Sequence, residues 1–347
     1  MIFTTIILRK MELPLALLRK LPFRFSQRSA STAADPFWVI VRKEIADHVR
    51  SWRFIILVIL IAMTCLGSLY TAVGQMAKAT KADDPEGAFF FLKLFTMTDG
   101  SLPSFTVFIS FLGPLLGIAL GFDAINSEQN RGTLSRLMAQ PVPRDYVINA
   151  KFTAALIVIT VMLFALGFLV MGLGLIRIGI LPTAEEFMRI ICFLLVSVCY
   201  VAFWLNLSIF FSIRFRQPAT SALSSMAAWL FFTVFYQLIV NVIARVAAPA
   251  ETSNPLQILK YQAFVANLLR LVPSQLFSEA TTTLLMPSVR SLGPLSFEQV
   301  YGSIPAPLPL DQSLLIVWPQ LTGLIAATVV CFALSYASFM RREVRSR

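Results

Sequence analysis

Hydrophobic side chains make up 57% of the 347 residues and charged ones only 14%, giving a mean hydropathy of +0.76. A soluble domain carries about a quarter charged residues, so a water-soluble fold is excluded and a polytopic membrane protein is indicated. The formal charge of +11 must then be read from where the charges fall along the chain.

Residues 1–36 are basic, with a Ser-rich stretch around Arg24 to Ser31. Their apolar run Met1–Leu8 precedes its charges, the reverse of a secretory signal, and is too short to span a bilayer. A disordered cytosolic tail is expected, with Met11 as an alternative start. From residue 37 to 53 the pattern changes. At 100° per residue Phe37, Trp38, Val41, Ile45, Val49 and Trp52 share one arc, with His48 on it, while Arg42, Lys43, Asp47, Arg50 and Arg53 share the other. This predicts an amphipathic helix lying at the membrane interface, its tryptophans at headgroup level.

Crossing a hydrocarbon core takes about 20 apolar residues in a helix. Stretches of that kind run over Phe54–Gly74, Phe105–Phe122, Phe152–Ile176, Ile190–Phe211, Ala219–Ala244 and Ser313–Met340. The expected division is therefore residues 54–246 for the first five spans, 247–312 for an extracytoplasmic loop, and 313–347 for the sixth span and a basic C-terminus. In the second span Gly113, Gly117 and Gly121 form overlapping GxxxG patterns that let another helix approach closely. Such stripes more often serve contacts within one subunit than a dimer seam.

Between the second and third spans, residues 123–151 form a polar loop. Gly132 breaks the chain, Thr133 is placed to cap a short helix, and Pro141 ends it. Leu134, Leu137 and Met138 then share a face, an i, i+3, i+4 pattern suited to a partner's groove, with Arg131 and Arg136 at its rim. A helix resting on its own bundle is the alternative. Pro141 and Pro143 make a stiff connector, and Arg144 and Lys151 are expected to seat the third span at the interface.

No Asp, Glu, Lys, Arg or His lies near the middle of any span, which disfavours ion-coupled transport and intramembrane catalysis. Asn206, Gln237 and Asn241 are polar exceptions within spans; interhelical hydrogen bonds explain them, and lining of a solute pathway is the sharper reading. The four cysteines all fall in spans, so neither a disulfide framework nor a zinc site is indicated. Within 247–312, Leu256, Leu259, Phe264, Leu268 and Leu271 predict an amphipathic helix ending at Pro273. Ser274 is expected to cap a second short helix carrying Leu276, Phe277, Leu284 and Leu285. Both are too short to span, and re-entrant and surface-lying placements stand level.

With a cytoplasmic N-terminus this topology puts 20 of the 29 Lys and Arg inside and 9 outside. The positive-inside rule is obeyed, both termini are expected in the cytoplasm, and the basic charge speaks for orientation and anionic lipid and not for nucleic acid.

Two segments, KEIADHVRSWRF at Lys43–Phe54 and FDAINSEQNRGTLSRLMAQPVPRDYVINAKF at Phe122–Phe152, resemble the membrane subunit of ABC-2 type transporters. Six spans and VPSQLFSEA before the last of them fit as well, so the likeness covers nearly everything after Pro36. Within the family the chain is most similar to permeases linked to maturation of copper enzymes such as nitrous oxide reductase. The resemblance implies an all-α integral membrane fold of the type V exporter-like kind, in the plasma (inner) membrane. It implies that Glu128, Arg131, Gly132, Thr133, Leu134, Arg136, Leu137, Met138 and Pro141 couple to a separate ATPase. Implied partners are two ABC ATPase subunits, a second permease subunit in a homodimer or related heterodimer, and membrane lipids. ATP and Mg belong to the ATPase, since this chain has no GxxxxGK[ST] loop. By the same likeness the second and fifth spans line the pathway and the outer helices gate it. Two departures stand out: the basic leader is extra, and Ser212–Pro218 is too short for a second coupling helix. An ion-gradient-driven secondary transporter or channel is the main rival, with a membrane-embedded enzyme and a scaffold behind it.

Overall fold

The computed structural model describes residues 35–79, 85–139, 142–179, 181–249, 254–289, 291–292 and 307–341, and every regular element among them is helical. The tail expected before residue 35 lies outside the described residues. The helices below belong to the unit from Pro36 onward. In chain order they are α1 (Pro36–Val49), α2 (Trp52–Ala79), a 3-10 turn (Pro85–Leu92) running into α3 (Lys93–Thr96), α4 (Phe105–Gly121), α5 (Asn126–Asn130), α6 (Thr133–Met138) and α7 (Arg144–Ile178). Then come α8 (Ala184–Arg214), α9 (Pro218–Leu230), a π-helical turn (Phe231–Phe235), α10 (Tyr236–Ala247), α11 (Pro255–Leu269), α12 (Pro273–Leu285) and α13 (Leu310–Met340). Six continuous helical stretches are long and apolar enough to cross a membrane: Trp52–Met76, Phe105–Asn130, Arg144–Ile178, Ala184–Arg214, Pro218–Ala247 and Leu310–Met340. Each overlaps one of the six expected spans; the second, third and fourth run well past the apolar stretches, the third because the polar turns over residues 144–151 continue the same helix.

α8 is the hub. Tyr200, Trp204, Phe193 and Leu205 are fully buried, and α8 packs against α4, α7, α12 and α13. The small-residue stripe makes this possible. A Cβ on Gly117 would sit 2.7 Å from the Val201 carbonyl oxygen, and one on Gly121 2.8 Å from that of Leu205. Gly113, Gly117 and Gly121 thus bring α4 against α8 within one chain. Asn206 joins the same hub, its side-chain Nδ2 donating to the Thr328 carbonyl (3.4 Å) while its backbone carbonyl accepts from Ser335 Oγ (3.2 Å) on α13.

At one end the outer segments fill the bundle. α12 inserts Phe277 against Tyr200, rings stacked at 4.4 Å, and buries Ala280, Leu284 and Leu285 against α8 and α13. Of the two placements open from sequence, α12 therefore packs into the bundle. It begins at Pro273 after Val272, and Ser274 is not its cap, because proline at the first helical position moves the start upstream. No sequence pattern marks the Pro85–Thr96 segment, which buries Phe91, Leu92, Leu94 and Phe95 and builds an aromatic cluster with Phe105 and Phe193. α8 starts with a capping box: Thr183 Oγ1 accepts from the Glu186 N–H, and Glu186 accepts from the Thr183 and Phe91 N–H groups.

Candidate functional site

The opposite end carries the basic residues and the polar loop. α1 lies along the start of α7. Val41 buries against Ala150 and Ala154, with Phe37, Ile40 and Ile45 around it, and Phe37 meets Tyr146 edge to face at 5.7 Å. This splits the expected apolar arc, since Trp38 and Trp52 remain 51% and 77% exposed while Val41, Glu44 and Ile45 turn inward. An acid thus sits on the buried side of α1.

Its partner is Lys151. The ammonium, 4% exposed, reaches Glu44 at 3.0 Å and Glu128 at 2.9 Å. Expected at the membrane interface, Lys151 is instead enclosed, because helix α7 begins two turns earlier and α1 covers its flank. Lys43 closes the cluster at 2.9 Å from Glu44, 3.2 Å from Asp47 and 3.7 Å from Glu128. Burial acting alone raises a carboxyl, yet the Lys151 and Lys43 charges outweigh it and hold Glu44 below the usual carboxylate range. Burial opposes charge on Lys43 too, and its carboxylate partners prevail and raise it. His48, half-buried beside them, is pushed down by burial, so it is neutral at pH 7.

The loop is pinned on its other side by α8. The Ile125 and Asn126 N–H groups donate to Ser212 Oγ (2.9 and 3.2 Å), and Asn130 Nδ2 donates to the Arg216 carbonyl (3.0 Å). Arg53 meets Asp123 at 2.6 Å and lies over the Phe122 ring. Gly132, at φ +67°, makes the left-handed turn between α5 and α6, a conformation costly for any other residue. Thr133, expected as a cap, is the first residue of α6, and its hydroxyl donates to the Glu128 carbonyl (3.2 Å).

Arg131, Gly132, Thr133 and Arg136 are exposed, whereas Leu134 is 4% exposed within the chain's own core. Of the expected apolar triplet, Leu134 therefore anchors α6 to the bundle. The side chains of Leu137 and Met138, and Pro141 altogether, lie outside the described residues. Between α1, the start of α2, the end of α4 and the loop opens a cleft of about 800 Å³, lined by His48, Trp52, Arg53, Glu128, Arg131 and Arg136 among others. Glu128 and Arg131 both line this cleft. Glu44 is absent from the residues expected at the site, and one signal points to it: an acid in helical register with Val41 and His48, on the apolar side of α1. Of the span amides, Asn206 is buried in the hub, while Gln237 and Asn241 lie exposed one turn apart on α10.

Comparison with known proteins agrees with this architecture. The family described as "ABC-2 family transporter protein" matches residues 38–344. A probable ABC transporter permease protein NosY of Stutzerimonas stutzeri is 24% identical over 309 residues, covering 88% of this chain and 98% of that protein. The protein of the same description from Pseudomonas aeruginosa is 26% identical over 210 residues, 58% of this chain and 68% of its own length.

Proposed function

This chain belongs to the ABC-2 transporter family, in the NosY branch, and is the membrane-spanning subunit of an ABC transporter; from that premise we propose that residues 123–151 receive the stroke of a separate ATPase. The observation that carries this reading is an exposed knob on a rigid base. Arg131, Gly132, Thr133 and Arg136 project, while the loop beneath them is tied to α1 and α7 through Lys151 and to α8 through Ser212 and Arg216. A push on the knob displaces three helices together instead of bending a loop.

On this reading the basic end faces the cytoplasm, with both termini there and the chain in the inner membrane. Glu128, Arg131, Gly132, Thr133, Leu134, Arg136, Leu137, Met138 and Pro141 form or support the coupling surface. Two ATPase copies carry ATP and Mg, two permease subunits enclose the pathway, and the solute leaves the cell. Gln237 and Asn241 support the paired arrangement. Amides left outside the bundle in a span cost free energy in hydrocarbon and gain from facing a second subunit or a wet pathway.

The test is co-purification with the ATPase. Leu137→Asp is expected to leave membrane insertion intact and to abolish or sharply reduce ATPase capture, because a charge buried at a docking face is costly unless paired. Capture at the level of the unchanged chain would rule out docking through α6.

A further inference from the structure

Where α8 and α13 end, a second concavity of about 460 Å³ is lined by Ile213, Arg214, Arg216, Ser338 and Arg341. Three arginines line one space, and no carboxylate lines it among the described residues. At the same end Lys43, Arg53 and Lys151 each sit against an acid, whereas Arg214, Arg216 and Arg341 meet none among the described residues. Clustered like charges repel, and at the end of two membrane-spanning helices the anion at highest concentration is a lipid phosphate. The guanidinium fork suits a phosphate oxygen pair, and Ser338 can add a hydroxyl donor. One turn before Ser338 on α13, Leu334 is 55% exposed, where an acyl chain would continue from a headgroup. A free phosphate would make no use of that side chain.

We propose that Arg214, Arg216 and Arg341 form a binding site for the phosphate of an anionic phospholipid headgroup. The site is joined to the coupling loop through backbone. The Arg216 carbonyl accepts from Asn130, and Ser212, two residues before Arg214, accepts from the Ile125 and Asn126 N–H groups. A headgroup that fixes residues 212–216 therefore steadies the loop as well. Binding itself does not depend on the function proposed above; only the regulatory meaning of the steadied loop does.

Binding is measured with dansyl-labelled phosphatidylglycerol and the full chain in neutral maltoside micelles, which carry no surface potential, so scattered arginines contribute little. The variant R214Q/R216Q/R341Q is expected to bind roughly tenfold more weakly or worse, given three lost charge-assisted contacts. The charge-matched control R42Q/R50Q/R144Q, at the same end but away from the concavity, stays near the original affinity. Equal loss in both variants would overturn the site in favour of diffuse attraction. Full competition by soluble glycerol phosphate at the lipid's own concentration would overturn the lipid as ligand. Hydrogen exchange over residues 123–131 should slow with phosphatidylglycerol in the original chain and not in the site variant; no change in either sinks the link to the loop.

Discussion

Lys151 carries the mechanics of the basic end because, among the described residues, it is the buried cation shared by two carboxylates of different elements, Glu44 on α1 and Glu128 on α5. Removing one member of a buried ion cluster leaves its partners uncompensated, which typically costs about 3–5 kcal/mol. Lys151→Met is therefore expected to lower thermal stability measurably, and Lys151→Met with Glu44→Leu to recover part of the loss, as a thermal-shift series in detergent will show. Equal stability of the single variant would mean that Lys43 alone neutralises both acids. Gly117 sets a different constraint. The Cβ of Gly117→Ala would press on the Val201 carbonyl and the Leu205 nitrogen at 2.7 and 2.9 Å, backbone atoms that cannot rotate away. Parting α4 from α8 is expected to cost about 1–3 kcal/mol. Gly172→Ala, with open space around the added atom, is the matched control that should change little. These two sites differ in legibility. The glycine stripe was plain in the sequence because its period is that of a helix face. Lys151 was misplaced because its role depends on α1 folding back over α7, a contact between residues 107 positions apart that no local pattern announces.

At the scale of elements, α1 is held by a small apolar contact, Val41 on Ala150 and Ala154, and by titratable groups beside it. Both shifts act in the same direction on acidification. His48 is lowered from 6.5, so its neutral form favours the docked helix above that value and protonation works against docking below it. Glu44 is lowered from 4.5, so its contribution is complete above 4.5 and is lost as pH falls through its depressed value. Amide hydrogen exchange of residues 37–49 is expected to be flat above about pH 6.5 after correction for intrinsic rates, to rise modestly below it, and to rise steeply below about 4.5. His48→Gln should remove the first rise and keep the second; protection that never changes with pH would contradict the docking account. The far end has its own clamp. Arg189, fully buried, donates to Glu185 (2.9 Å), to the Leu284 carbonyl (3.0 Å) and to Ser313 (3.2 Å), and also holds the Leu308 carbonyl. Arg189→Met strips donors from buried carbonyls, each worth about 1–3 kcal/mol when orphaned. Protease cutting between α12 and α13 should accelerate while the rest of the chain resists. Hydropathy made every span readable and the short helices α11 and α12 with them. The Pro85–Thr96 segment escaped, since a brief aromatic run has neither the length of a span nor the period of an amphipathic helix.

For the whole molecule, burial is uneven. In the apolar window of α8, 72% of residues are buried within the chain, against 11% in the fifth span formed by α9, the π-turn and α10. Lipid can cover the leucines and phenylalanines of that span, but Gln237 and Asn241 find no such match in hydrocarbon. Their exposure one turn apart makes the fifth span the element from which the paired assembly proposed above can be judged. If two copies meet along α10, single cysteines placed at Gln237 or Asn241 should cross-link two chains in the membrane on mild oxidation, in a background where Cys65, Cys192, Cys199 and Cys331 are replaced by alanine or serine. A cysteine at Ile176, also exposed but on α7, should not cross-link. Dimer bands of equal strength from all three positions would report only random collision. Their absence from Gln237 and Asn241 would leave these amides facing a water-filled path or a non-identical partner. Double replacement by leucine separates the remaining cases. A subunit seam built on the amides loosens when they are lost, whereas a wet pathway keeps its assembly and loses transport.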